Sequence, residues 1–497
     1  MSVSRHTTYN LIGSLIPVIT ALITVPLYIH LIGAARYGVL AIAWLLLGYF
    51  GLFDLGLGRA TSFRVAALRD APPATRADTF WAALVVNIGM GVVGGAVMWL
   101  TADYFFAHVF KVAESLRPEI LAAVPLLAIS VPVATLTGVL TGAMQGRERF
   151  LETNIVSVLS TGLFQLLPLL VAWKIGPNLV DILIAALAAK ALAMLVLAFW
   201  CHRELTMGHP MRLDQGEVPL LLKYGGWVTV TSIFGPLLVI VDRFAIGAVL
   251  GAVPVAIYSV PYQLAKQIQV LPAALTNALF PKISAASPER QRKYSEDAVF
   301  TLAGLISLPV LAGIYLLDPL LHLWVGKSIG GQGAPVGRIL VVAFWINAFA
   351  LIPFTGLQAR GRPDLVTKVL LIEIPPYFIL LYFALTGWGV SGAAFAFAAR
   401  CLLDYVLLSW AANRSFRGWP LLAANLALLV VGVFLSDQWR YTQWQWWATA
   451  AALGLVLLVL AWRTLPGEIR MRLLSPLSLG WPLTPSSKGL LKRPHSS

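Results

Sequence analysis

Charge is what this chain has least of. Of its 497 residues only 12% are Asp, Glu, Lys or Arg, about half the usual share of a globular domain, while 59% are apolar. That balance excludes a soluble enzyme and a disordered scaffold, because only lipid can solvate so much apolar surface. Cysteine is nearly absent: Cys201 and Cys401 both fall in apolar runs and specify neither a disulfide framework nor a four-ligand metal site. The seven histidines show no metal-ligand spacing, and no serine nucleophile elbow occurs. The nearest approach to a phosphate loop is Gly326-Lys327-Ser328, where the position five before the glycine holds Leu321 instead of Gly. No catalytic set, metal site or cofactor is therefore implied. Long polar loops are missing too, which leaves no room for an extramembrane catalytic domain such as a membrane glycosyltransferase or polymerase would need.

What is present is a succession of apolar stretches, each long enough to cross a bilayer as a helix. Fourteen are expected: 9–32, 38–58, 79–101, 119–141, 154–174, 179–201, 226–249, 253–280, 297–317, 335–358, 365–386, 389–411, 418–435 and 443–462. The longest loops on the second side of the membrane would be 102–118 and 318–334. The fold class is an all-α polytopic membrane protein. The net charge of +14 is spread over short connections without an aromatic platform, so it argues against nucleic acid and for a topology signal. With the N-terminus in the cytoplasm, that side collects 25 Lys and Arg against 8 on the other, which predicts both termini cytoplasmic. The Ser- and Pro-rich segment 464–497 reads as a disordered cytoplasmic tail.

Three pieces of the first half recur in the second. Thr141, Gly142, Gly146 and Arg147 return as Thr355, Gly356, Gly361 and Arg362, offset by 214 to 215 residues. The run Ala188 to Leu192 returns as Ala398 to Leu402, offset by 210, and Gly33-Ala34 returns as Gly251-Ala252, offset by 218. Each joins span n to span n+6, so the chain divides into a lobe at 1–201, a linker at 202–225, a second lobe at 226–411 and two accessory helices at 412–463. Six spans per copy is an even number, so both copies enter from the same side and are related by an axis along the membrane normal. Such parallel repeats enclose a central cavity and rock against each other.

The segments LIGAARYGVLAIAWLLLGYFGLFDLGLGRATS (31–62), YGGWVTVTSIFGPLLVIVDRFAIGAVLGAVPVAIYSVPYQLA (224–265), LFPKIS (279–284) and LLHLWVGK (320–327) carry a family resemblance. They resemble the polysaccharide-transport branch of the multidrug/oligosaccharidyl-lipid/polysaccharide exporter superfamily. The resemblance implies two six-helix lobes in a V, a cationic cavity, and a flippase moving undecaprenyl-pyrophosphate-linked oligosaccharide across the bacterial inner membrane. It further implies exopolysaccharide or O-antigen synthesis, with a lipid-linked glycan substrate, membrane lipid, and a polysaccharide polymerase and chain-length or export machinery as partners. A lipid II flippase and a cation-coupled multidrug exporter share the superfamily and stay open as alternatives.

Three cations fall within spans, where each costs about 2.5–3.5 kcal/mol on insertion scales and so needs a partner, a wet cavity or a function. Lys190 and Arg400 sit at the twelfth position of spans six and twelve, suited to holding a pyrophosphate from both lobes. Arg400 has a second reading, an ion pair with Asp404 one turn on. Lys266 shares a face of span eight with Tyr258, Tyr262, Gln263 and Gln267, a stripe fit for a glycan or for a polar helix interface. Arg243 is a further candidate for the cavity. Asn10, Ser14, Thr24 and Tyr28 give span one a milder polar face. Asp242, Glu373 and Asp54 are intramembrane carboxylates that could exchange H⁺ or Na⁺ for substrate, or pair structurally with the cations. Pro17, Pro26, Pro236, Pro261, Pro309, Pro353, Pro375 and Pro376 are expected to bend the helices.

Overall fold

The computed structural model describes residues 3–49, 57–68, 70–210, 238, 240–412 and 418–464, with side chains from Thr20 onward except at 48–49, 59, 278, 281–282 and 288. Asp54, the side chains of Asn10 and Ser14, the linker from 211 and the tail from 465 lie outside the described residues. The elements in order are α1 (Val3–Tyr49), α2 (Leu57–Ala67), α3 (Pro73–Tyr104), α4 (Arg117–Gly146), α5 (Phe150–Lys174), α6 (Leu179–Cys201), α7 (240–249), α8 (Ala252–Lys266), α9 (Val270–Ser284), α10 (Pro288–Ala359), α11 (Pro363–Ala411), α12 (Trp419–Gln438) and α13 (Trp444–Thr464). No strand occurs among the described residues, and nine of their helices are long and apolar enough to cross a membrane. Each of the fourteen expected stretches contains described helix.

Three of these helices are longer than one crossing because they run through positions expected to be loops. The expected loop at 318–334 is helical, broken only at Gly326 (φ 82°) inside α10. Gly33 (φ 79°) divides α1 and Gly389 (φ 60°) divides α11 in the same way. A side chain in this left-handed region costs about 1–2 kcal/mol, so the chain turns where glycine removes that cost. The helices continue through their prolines: Pro309, Pro319, Pro335 and Pro353 all lie inside α10, and Pro375 and Pro376 inside α11. Where neighbouring helices and local adjustment satisfy the freed carbonyl, a proline is tolerated; an unbonded apolar loop in hydrocarbon is not.

The duplication is visible in geometry. The turn after α4 bonds Arg147 N to Ala143 O, Glu148 N to Gln145 O and Arg149 N to Met144 O. The turn after the second half of α10 bonds Arg360 N to Gly356 O, Gly361 N to Gln358 O and Arg362 N to Leu357 O, each 213 residues later. Glu148 (φ 62°) and Gly361 (φ 70°) hold the same left-handed position. This corrects the sequence register: Arg147 corresponds to Arg360 and Arg149 to Arg362. Gly176 and Gly389, both with positive φ, repeat the 213 offset, and Gly33 and Gly251 repeat at 218.

In the first lobe α4 packs on α2, α3 and α6, and α5 on α1 and α6; in the second, α10 packs on α8, α9 and α11, with α12 and α13 against its outer side. The lobes meet where α1, past Gly33, lies on α8. Gly38 is pressed onto the Ala252 carbonyl so closely that a Cβ would overlap it. Around this contact Lys111 N bonds Gly247 O at 3.1 Å, Lys111 Nζ bonds Val249 O at 2.8 Å, and Gln263 Nε2 reaches Tyr37 Oη at 3.4 Å. The lobes are therefore closed against each other at this end.

Candidate functional site

The kink glycines set where the intramembrane charges fall. Past Gly389 the second half of α11 carries Arg400 eleven residues on, while α6 carries Lys190 fourteen residues beyond Gly176. The three-residue loop 176–178 absorbs the difference and explains why this repeat is offset by 210 and not 213. Both cations then meet an aromatic ring, Lys190 one on α5 and Arg400 one on the first half of α11. Lys190 Nζ lies 4.8 Å from the centre of the Phe164 ring, and Arg400 Cζ lies 5.6 Å from that of Tyr377. Phe164 and Tyr377 are themselves 213 residues apart, so the cation–aromatic pair is duplicated as a unit. Trp44 lies 6.3 Å from Phe164, whereas Tyr262, its equivalent at an offset of 218, lies under Arg243. Sequence reasoning missed Phe164, Tyr377 and Trp44, and the 213 offset that links the first two comes from the turn hydrogen bonds.

The lobes differ in what surrounds those cations. Asp242 and Arg243 on α7 are both buried, with Asp242 Oδ2 3.6 Å from Arg243 Nη1. Adjacent residues on a helix diverge by about 100°, yet the long guanidinium folds back to its neighbour. Tyr258 donates its O–H to Asp242 Oδ2 at 2.5 Å, and the Arg243 guanidinium lies 3.7 Å from the centre of the Tyr262 ring. Arg400 donates to the Leu238 carbonyl at 3.4 Å rather than closing an ion pair with Asp404, and interacts electrostatically with both Glu373 and Asp404. Asp242, Arg243, Arg400, Glu373 and Asp404 thus form one charged cluster between α7, α8 and α11. Lys190 has no carboxylate at ion-pair distance among the described residues.

The expected stripe on α8 is not one continuous face. Tyr258 and Tyr262 are 0% and 5% exposed and cover the Asp242–Arg243 pair, so their rings are not open for stacking on a sugar. Lys266 is the last residue of α8, where a 3₁₀ turn at Gln267–Gln269 bends the span, and both Lys266 and Gln267 are exposed. Gln263 is half-buried in the lobe contact through Tyr37. On span one Thr24 and Tyr28 are buried, with the Tyr28 hydroxyl bonded to the Gln165 carbonyl at 2.9 Å, so both pack against neighbours. Among the described residues no cluster of three His, Cys, Asp or Glu side chains has the arrangement of a metal site. What the second lobe offers is a buried cluster of charge and hydrogen bonding, matched in the first lobe by Lys190 over Phe164.

Known proteins share this architecture. A Shigella flexneri protein assigned to O-antigen transport is 28% identical over 415 residues, covering 83% of this chain and 98% of that one. The structure of the lipid II flippase MurJ in an inward closed conformation aligns with a TM-score of 0.72 at 12% identity, over 91% of this chain and 98% of that one. An inward-facing multidrug resistance transporter of the MATE family, in the MOP superfamily, aligns with a TM-score of 0.68 at 16% identity, over 84% and 98%. These two likenesses show the fold: paired helical lobes on a common plan. The polysaccharide biosynthesis protein family matches residues 3–287, more than half of the sequence, and the chain belongs to that family.

Proposed function

We propose that this protein is a flippase that carries lipid-linked oligosaccharide, with an undecaprenyl-pyrophosphate anchor, from the cytoplasmic to the outer face of a bacterial inner membrane by alternating access. The observation that carries the reading is the duplicated cation over an aromatic ring, Lys190 with Phe164 in one lobe and Arg400 with Tyr377 in the other. Two cations at matched depth on opposite walls can share a pyrophosphate, whose transfer through a low-dielectric region otherwise carries a large desolvation cost. Lys190, which has no carboxylate partner among the described residues, supplies the uncompensated positive charge. Arg400 sits beside Glu373 and Asp404, so its charge becomes available to substrate when those carboxylates are neutralised by a bound proton or cation. Arg243 and Asp242 belong to the same cluster, which makes Asp242 and Glu373 the residues through which an ion gradient would couple; Asp54 is held as a third coupling candidate. Lys266, Gln263 and Gln267 stand at the lobe junction, where they would meet the first sugars.

The domain organisation belongs to this reading: lobes at 1–201 and 226–411, a linker at 202–225, accessory helices at 412–463 and a tail at 464–497, with both termini cytoplasmic. The Shigella relative supports an O-antigen or exopolysaccharide pathway, in which a polymerase and chain-length or export machinery would receive the product.

Reconstitution tests the reading. Purified protein in proteoliposomes is expected to move undecaprenyl-pyrophosphate oligosaccharide between leaflets, scored by access of an impermeant glycan-modifying reagent. Lys190→Ala and Arg400→Ala are each expected to cut the rate at least tenfold while the protein still inserts. Normal transport by the double variant would remove these residues from the cavity. Transport of a cationic drug in place of the lipid would transfer the protein to the multidrug class, and transport of lipid II alone to the cell-wall class.

A further inference from the structure

Each lobe contains a recess, and the two recesses stand at equivalent positions of the repeat. In the first lobe α2 and α4 enclose about 590 Å³, lined among others by Ser62, Thr141 and Gln145. In the second, α9 and the latter half of α10 enclose about 260 Å³, with Asn277, Thr355 and Gln358 among its lining. Gln145 and Gln358 are equivalent at the 213 offset fixed by the turn hydrogen bonds, three residues before the left-handed positions Glu148 and Gly361. Gly58 and Thr276, and Ser62 and Phe280, are equivalent at the 218 offset of Gly33 and Gly251. The difference in volume follows from the residues: Gly58, Gly138 and Gly142 in the first recess face Thr276, Leu351 and Thr355 at the same positions of the second.

The chemistry of the recesses contrasts with the cluster deeper in the protein. No Asp, Glu, Lys or Arg lines either of them. The side chains of Ser62, Thr141, Gln145, Asn277, Thr355 and Gln358 make no hydrogen bond among the described residues. Hydroxyls and primary amides left open in a membrane protein face a wet vestibule or a ligand, because lipid cannot satisfy them. Aromatic surface stands beside them, Phe63 in the first recess and Phe280 and Phe354 in the second. Uncharged donors and acceptors next to an aromatic face suit a molecule with hydroxyls on its edge and C–H groups on its faces. An anion would find no counter-charge there. Glutamine and asparagine amides present a donor and an acceptor together, which matches vicinal hydroxyl pairs.

We infer that the two recesses are subsites for neutral sugar residues of the glycan, separate from the cationic positions that hold its anchor, and that the larger recess of the first lobe takes a sugar ring. This rests on the flippase reading above and adds a division of labour to it. The charge cluster recognises what all lipid-linked glycans share, and the recesses distinguish one glycan from another.

The test uses two lipids in proteoliposomes: undecaprenyl pyrophosphate bearing one N-acetylhexosamine, and the same carrier bearing a neutral tetrasaccharide. The quadruple variant Thr141→Val, Gln145→Leu, Thr355→Val, Gln358→Leu keeps side-chain volume and removes the polar groups. It is expected to move the tetrasaccharide lipid roughly tenfold more slowly at sub-saturating concentration, the size set by losing a few neutral hydrogen bonds, with less than a twofold change for the single-sugar lipid. A second variant, Ala66→Leu with Ala273→Leu, fills the recesses from exposed helix positions without touching a polar group, and is expected to discriminate in the same direction. Equal loss for both lipids, or loss for neither, in the variant that folds overturns the inference while leaving the flippase reading intact. Parent protein that moves neither lipid overturns the flippase reading, and this inference with it.

Discussion

Breaking the Asp242–Arg243 pair from one side is expected to cost far more than removing it whole. Both side chains are buried, at 0% and 2% exposure, with 3.6 Å between Oδ2 and Nη1. Asp242→Asn preserves shape and the contact with Tyr258 but leaves the guanidinium without its counter-charge, in a cluster that also holds Arg400 and, close by, Lys266. Removing one partner of a buried pair costs about 3–5 kcal/mol, and the two neighbouring cations place this variant at the upper end. Arg243→Met strands the carboxylate instead, but Tyr258 still donates to it at 2.5 Å, so a loss of about 3 kcal/mol is expected. The double variant leaves no unpaired charge and should lose only about 1–2 kcal/mol. The double-mutant cycle therefore predicts a coupling energy of at least about 4 kcal/mol, measured by equilibrium unfolding in detergent micelles followed through tryptophan fluorescence. Losses that add to within about 0.5 kcal/mol would refute the reasoning, since additivity means that water, not the partner, stabilises each charge.

Three further outcomes follow from particular contacts. Gly38→Val should force the lobes apart at the closed end, because a Cβ there overlaps the Ala252 carbonyl; spin labels on the two lobes would report a longer distance, and an unchanged distance would show that the contact is not what holds that end shut. Glu119 accepts from the Arg36 guanidinium at 2.9–3.2 Å and from Leu179 N at 2.6 Å, so Glu119→Gln should lower stability by about 1–3 kcal/mol, and a loss below about 0.5 kcal/mol would mean solvent replaces it. Asp242→Asn should abolish the response of glycan transport to an imposed pH or sodium gradient while substrate binding persists; a parental response would move coupling to Glu373.

The register of the lobes shows how much of the site could be read before the fold. The sequence offsets of 210, 214 to 215 and 218 are uneven; the turn hydrogen bonds at Glu148 and Gly361 replace the middle one by 213, and the three-residue loop at 176–178 accounts for the step from 213 to 210. Lys190 and Arg400 stood out because a cation inside an apolar stretch needs a partner, a wet cavity or a function, and for Arg400 the sequence also offered Asp404 one turn on. Phe164 and Tyr377 did not, because one more aromatic in a chain with 11% aromatic residues is no signal until a cation lies over it. For the tyrosines of α8 the sequence left open a glycan face or a polar helix interface, since helical spacing tells which residues share a face but not whether that face meets a cavity or a buried carboxylate, as Tyr258 does at Asp242.

By itself the sequence determined the class of solvent, the order of the apolar stretches and the presence of a repeat, because each follows from counting residues along a helix of fixed rise. Tertiary structure alone decided which charges are neutralised. Asp242 reaches Arg243 and Tyr258, Arg400 reaches the Leu238 carbonyl instead of Asp404, and Lys190 meets only a ring, outcomes that depend on which helix packs opposite and which way a long side chain turns. It also decided where the lobes meet, since the closeness of Gly38 to Ala252 is a fact about two surfaces and not about either span.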